Sequence, residues 1–588
     1  MKTKKFLSFF LTVLILLVLA ASCSENNPLP IENSPTISTH TTTNVSPEST
    51  ASPSQTNSPA LTPQTVQTTI PPATTHTTNT IQTTSPVQTF TPLSLKAQYQ
   101  AKTIYLTSYS DLDLGVTLAS LQGLLANKGT EQILINIGAY SKFAPYIKNT
   151  YGATVISSSI WSTVEKFKDK VSGYILCDNV GSDESLNVAT SIANQLDAII
   201  VTKKYEQKVI SLGYTKILDV TGKNNEWLRE SQYFSKLNKK IALSQGLIFG
   251  PHLRDYAVMK GAYSYYASTT SDNMRNFSFL DNNSLVFGWN DALGEYDTVA
   301  SFSTINANLI PANHAHNLST LSGFKLDSIK QKRSPVSNKT HTGKHTVCFI
   351  MSDGDNLQYL LNNYTDTNWF GSPLRSSFNM GWGLPPLTID LAPPMLNYMY
   401  DEMNTSDEFV MQIGGLGYTY PSKWTNSDSL LEMAAMLNDY MKRSDMDIAT
   451  IVDSGVISNL SAFTRQDGIK GLFFIDFGDY SKYKGRILWS DKKPVVTARY
   501  RLWAEVADGS IENIAAGINS ASTDISSQDA YSFVIVHSWS GLDSSGNLVL
   551  NGDTMKGIKA LIDRFDSNVD VVTPSEFISR IIKNKVGQ

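Results

Sequence analysis

What most constrains this chain is a recurring alternation, from about residue 98 to the end, of short apolar runs with stretches whose apolar residues fall at helical spacing. In the first part the runs occupy 103–107, 132–137, 153–157, 173–177, 198–201 and 216–220, and stretches such as 116–125 and 185–196 separate them. Unbroken apolar runs suit strands buried on both faces. Strands alternating with helices then imply a parallel sheet covered on both sides. An N-terminal α/β domain over 96–240 follows. Neither a GxGxxG nor a phosphate loop comes after the first run, so no nucleotide site is expected there.

The alternation resumes over 241–588, with strands expected at 284–289, 309–313, 346–352, 408–413, 447–452, 471–475, 494–498, 532–536 and 569–572. Helix-like segments such as 356–363, 430–442 and 511–520 lie between them. That many strand–helix units predict a C-terminal β/α-barrel-like domain, with an open doubly wound sheet as the alternative. In barrels the chemistry gathers where strands end. Those positions hold Trp289 with Asp291 and Glu295, then His314 and His316, Asp353 and Asp355, the loop 415–421, Asp453, and Asp476 with Asp479. Arg499 to Glu505 and His537-Ser538-Trp539 complete the set.

Ahead of the folded region, Lys2, Lys4 and Lys5 precede an apolar run that stops at Ser22-Cys23. The run is too short to span a membrane comfortably and reads as an export signal over 1–22. Leu19-Ala20-Ala21-Ser22-Cys23 resembles a lipobox, which implies a lipid on Cys23, membrane attachment and display on the extracellular face of the cell. Residues 23–95 are dominated by Thr, Ser and Pro and cannot bury enough apolar surface to offset their ordering entropy, so a disordered stalk is expected. The remaining cysteines, Cys177 and Cys348, sit in apolar runs and read as buried thiols. Net charge is −4 and no basic run is interleaved with aromatics, which argues against nucleic acid as a partner.

The loop after the 408–413 run reads Gly415-Leu416-Gly417-Tyr418-Thr419-Tyr420-Pro421. On this motif the chain resembles the GxGYxYP family of glycoside hydrolases, from about residue 100 to the end. The resemblance implies a polysaccharide or oligosaccharide substrate and α/β regions ahead of a barrel-like domain; it carries no catalytic assignment. Physically, the glycines allow close backbone approach, and Tyr418 and Tyr420 offer flat faces for stacking on sugar rings. Trp289, His537 and Trp539 are the other expected substrate contacts.

Glycosidic hydrolysis usually takes two carboxylates several ångströms apart. Asp353 and Asp355 follow a buried run directly, and Asp476 and Glu505 are their expected partners from other strand ends. No cofactor is required by this chemistry. Two further readings use the same residues. Asp353, Asp355 and His537 could hold a divalent metal, as in a polysaccharide deacetylase, and the aromatics could serve a glycan-capturing lipoprotein without catalysis. His341 and His345 have ligand-like spacing but precede the acids, which departs from the deacetylase order. No GxSxG elbow supports serine catalysis.

Overall fold

The computed structural model describes residues 93–337, 339–454 and 457–588; the expected signal, Cys23 and almost all of the expected stalk lie outside them. Leu95, which composition assigned to the stalk, is buried, and its carbonyl accepts the Tyr256 hydroxyl at 2.9 Å. The folded unit therefore begins slightly earlier than composition suggests.

Three small parallel sheets come first. β1 (Thr103–Thr107), β2 (Glu131–Ile135) and β3 (Thr154–Ser157) pair in the order β2-β1-β3. β4 (Gly173–Cys177), β5 (Ala198–Thr202) and β6 (Lys216–Asp219) repeat that plan as β5-β4-β6. β7 (Asn238–Ser244), β8 (Ala262–Tyr265), β9 (Leu285–Gly288) and β10 (Asn308–Ile310) form a third sheet, β10-β9-β7-β8. This corrects one expectation. The polar ends of β9 and β10 suggest strands of the C-terminal barrel, but β9 pairs with β7 and with β10 instead.

The C-terminal sheet contains β11 (His345–Met351), β12 (Met380–Leu384), β13 (Asp407–Met411), β14 (Ile448–Asp453), β15 (Gly471–Asp476), β16 (Ile487–Ser490) and β17 (Lys493–Thr497). β18 (Tyr500–Leu502) and β19 (Tyr531–Val536) follow, then the hairpin β20 (Ser540–Leu542) and β21 (Leu548–Leu550), and β22 (Val569–Val571), which pairs with β11. The main path runs β16-β17-β15-β14-β13-β12-β11-β19-β18. Its edges, β16 and β18, do not pair, so the sheet is a curled half-barrel rather than a closed barrel. Every pairing along this path is parallel except that of β16 with β17, while the antiparallel β20–β21 hairpin stands apart as its own sheet.

β11 shows why its run is continuously apolar. Val347, Phe349 and Met351 enter one core cluster while Cys348 and Ile350 enter the other, so both faces are covered. Cys177 and Cys348 are buried free thiols. Register then levels the strand ends: Met351 pairs with Val536, and Asp453 with Asp476, which puts the residues after them at one end of the sheet. Among the described residues no helix is long and apolar enough to cross a membrane.

Candidate active site

Asp353-Gly354-Asp355 leaves β11 through a tight corner. Gln412, just past β13, clamps it: its amide nitrogen donates to the Met351 carbonyl (2.8 Å) and its amide oxygen accepts the Gly354 N–H (2.9 Å). Gly354 lies directly against Gly383 of β12, where any Cβ would collide with the Gly383 carbonyl. That contact explains the glycine between the two acids. Asp353 adopts a left-handed backbone, φ 59°, and accepts the Ser352 hydroxyl, whose oxygen in turn accepts Ser538 N at 3.2 Å; the Trp539 side chain and Ser538 backbone also favour the Asp353 anion. The cap of the next helix, Leu357–Leu361, is Asn356, which accepts from Tyr359 N (3.3 Å). Asp355 is thus not consumed as a helix cap.

A third carboxylate meets these two. Glu295 is the first residue of the helix Glu295–Thr304, a position where the helix dipole favours a negative charge. Its Oε1 accepts the Tyr418 hydroxyl at 2.8 Å. All three acids keep some accessible surface while lying deep in the molecule. Burial raises the proton affinity of each. For Asp355 the negative charges of Asp353 and Glu295 add to burial and push it up to about 8. Glu295 is pushed up to about 7 by burial and Asp353, against the lowering effect of Tyr418. Asp353 is also raised by burial, while its three donors favour its anion. Tyr480 lies within electrostatic reach of all three carboxylates and of Arg501.

The GxGYxYP loop assembles this arrangement. Tyr418 exchanges two backbone hydrogen bonds with Leu309 of β10 (2.7 and 3.2 Å), docking the loop on the edge of the third sheet. Gly417 packs against the Leu309 carbonyl so closely that no Cβ fits. Thr419 meets the Ser303 hydroxyl at 2.8 Å and accepts the Trp424 indole N–H at 2.7 Å, and Tyr420 N donates to Ser303 Oγ at 3.0 Å. Ser303 belongs to the Glu295 helix. The motif therefore fastens that helix to the C-terminal sheet and aims Glu295 at the β11 corner.

This places the expected residues differently from their sequence reading. Tyr420 is fully buried and Tyr418 is 6% exposed, so neither presents a face to a sugar; Tyr420 stacks on Tyr296 at 5.6 Å. Asp476 is buried and committed to its own turn: Oδ1 accepts Gly478 N (2.9 Å) and Asp479 N (3.2 Å), while Oδ2 pairs with Lys482 (3.1 Å). Glu505 is exposed in a left-handed turn, φ 66°. Neither appears among the interactions of the three-acid cluster.

His537 lies face to face with Trp503 (3.9 Å between centroids, 7° between planes), and its Nδ1 meets Ser540 Oγ at 2.8 Å. Burial pushes its imidazole down to about 3, so it is neutral. Trp539 packs against Tyr359 (4.8 Å) and Trp369 (5.4 Å) while bonding to Asp353. Trp289 directly follows β9 and is half-buried, at the start of the loop that leads to Glu295. His345 opens β11, at the other end of the strand from the acids, where it contacts Ser522 O and Ser532 Oγ. Among the described residues no group of three or more His, Cys, Asp or Glu is placed to hold a metal ion, so His537 is not brought together with Asp353 and Asp355 as ligands.

Family models match three consecutive parts of the chain. The model described as "GxGYxYP putative glycoside hydrolase C-terminal domain" covers 343–581, the GxGYxYP second domain covers 171–237, and the third domain covers 239–323. Their boundaries follow the sheets: β4–β6 lie within the second domain and β11–β22 within the C-terminal one. Among solved structures, a crystal structure of a putative hydrolase from Bacteroides thetaiotaomicron VPI-5482 is 29% identical, with a TM-score of 0.75, over 83% of this chain and 96% of that one. Nothing matches among the curated proteins.

Proposed function

From the chain's membership of the GxGYxYP family, we propose that it hydrolyses glycosidic bonds with Asp355 as general acid and Glu295 as the facing carboxylate. The observation that carries this reading is the convergence of three acids from two separate elements, with the proton affinity of Asp355 pushed up to about 8. At neutral pH Asp355 holds a proton it can give to the leaving oxygen. Glu295, held by the Tyr418 hydroxyl, comes from a different element than Asp355 and either activates water or attacks the sugar carbon. Burial raises the proton affinity of Asp353 while its donors oppose that rise, and negative charge on Asp353 favours the proton on Asp355.

The substrate is accordingly a polysaccharide or oligosaccharide. The N-terminal sequence supports a location at the cell surface, with the folded unit tethered through a lipid on Cys23.

Leaving-group dependence tests the role of Asp355. Asp355→Asn should lose turnover on alkyl glycosides by about 10²–10⁴-fold, as removal of a general acid does. It should keep most of its turnover on dinitrophenyl glycosides, whose leaving group needs no proton. Equal loss on both substrates would contradict the assignment of Asp355 as the acid.

A further inference from the structure

A second place in the molecule is built like a binding site, and it lies in the first sheet, away from the three acids. β1 is the middle strand, with β2 on one side and β3 on the other, so the connection from β1 leaves in one direction and the chain returns to the opposite side. In open parallel sheets, ligands bind outside the carboxyl ends of the strands where the strand order reverses in this way. A recess of about 360 Å³ lies at that position, lined by Leu106 and Thr107 at the end of β1 with Ser108 after it, Asn136 after β2, and Ser157, Ser158 and Ser159 at the end of β3.

The lining is polar and partly unsatisfied. Thr107 is 3% exposed, yet its hydroxyl has no hydrogen-bond partner, and the buried side-chain oxygen of Asn136 has none either. Buried polar groups left without partners in a native fold call for an explanation, and a ligand that completes them supplies one. Ser158 and Ser159 are already engaged, by Thr163 Oγ1 (2.9 Å) and by Ser162 N (3.2 Å), which holds that wall in place.

Charge selects the ligand. No lysine or arginine lines the recess. The helix after β1, Leu112–Ala126, is already capped by Asp111, which accepts Leu114 N at 3.1 Å, and Asp113 adds a second acid in its first turn. A phosphate or carboxylate there would meet acids instead of open amides. Hydroxyl and amide groups without charge suit a neutral polyol, and the volume falls in the usual range for small-molecule sites.

We propose that this recess binds a neutral sugar unit, a site separate from the three acids; only the choice of sugars among neutral polyols rests on the proposed hydrolase function. Hydrogen–deuterium exchange on the full chain carrying Asp355→Asn, which prevents turnover, tests it with glucose, galactose, mannose, N-acetylglucosamine and inorganic phosphate as probes. At least one sugar should slow exchange in the backbone around Thr107, Asn136 and Ser157. Thr107→Val and Asn136→Leu should each raise the sugar concentration for half protection at least tenfold. Ser108→Ala, at an exposed position, should weaken binding in the same direction if either buried variant fails to fold. Protection by phosphate in place of sugars, protection unmoved by the variants, or no protection there with any probe would overturn the proposal. A sugar-protected recess in a chain without Asp355-dependent hydrolysis would support this site while removing the hydrolase reading.

Discussion

Asp355 and Glu295 carry the account at the residue scale, and both have proton affinities above the ordinary carboxylate values. A carboxyl whose folded value is raised adds stability that is complete below its unfolded value, near pH 4, and lost as pH rises through its folded value. For Glu295 that loss ends near pH 7 and for Asp355 near pH 8. Calorimetry should therefore show the melting temperature falling between pH 5 and pH 8, with a smaller fall in the double variant Glu295→Gln/Asp355→Asn. Equal slopes would contradict the buried pair. Activity should follow a narrow bell whose limbs near 7 and 8 belong to the coupled acids. Tyr418→Phe removes the hydroxyl that lowers Glu295, so the acidic limb should move to higher pH and kcat should fall about tenfold, the cost of one hydrogen bond to a charged group. An unmoved limb would mean that Tyr418 only fills space.

The GxGYxYP loop is the element that turns sequence into site. Gly417→Ala forces a methyl against the Leu309 carbonyl, a place with no room to relax because both partners are backbone. Urea unfolding should show a loss of about 1–3 kcal/mol, the usual cost of overpacking, with kcat falling as the Glu295 helix shifts. Full stability with full activity would show that the loop is not the latch described. The motif was plain in the sequence, but its tyrosines read as sugar platforms. What redirected them is a contact to a residue 123 positions away, which spacing within the loop does not reveal. Glu295 stood among the strand-end acids for the same reason that Asp476 did, and nothing local separates the two. Only the structure shows Asp476 tied to Lys482 and its own turn, while Glu295 faces two other carboxylates.

For the whole molecule, the α/β alternation was legible because strands covered on both faces are apolar throughout. β1, β4 and β11 match their expected runs closely. β12 was not legible: Met380-Gly381-Trp382-Gly383-Leu384 carries two glycines, which pack against neighbouring strands and Gln412 and weaken its apolar signal. Nor does alternation say which sheet a strand joins, so β9 and β10 were counted with the C-terminal domain, and a closed barrel and an open half-barrel share one pattern. The N-terminal segment makes a prediction of its own. Cys23→Ser in the full chain should move the protein from the membrane fraction to the soluble exported fraction, and unchanged membrane association would rule out the lipid anchor.

The most direct test of the central claim is release of new reducing ends by the purified protein from a broad panel of plant, host and microbial glycans, with Asp355→Asn and Glu295→Gln alongside. The account predicts cleavage of at least one glycan, reduced about 10²–10⁴-fold in each variant with the fold intact. Cleavage that survives both substitutions, or glycan binding without cleavage anywhere in the panel, would contradict it.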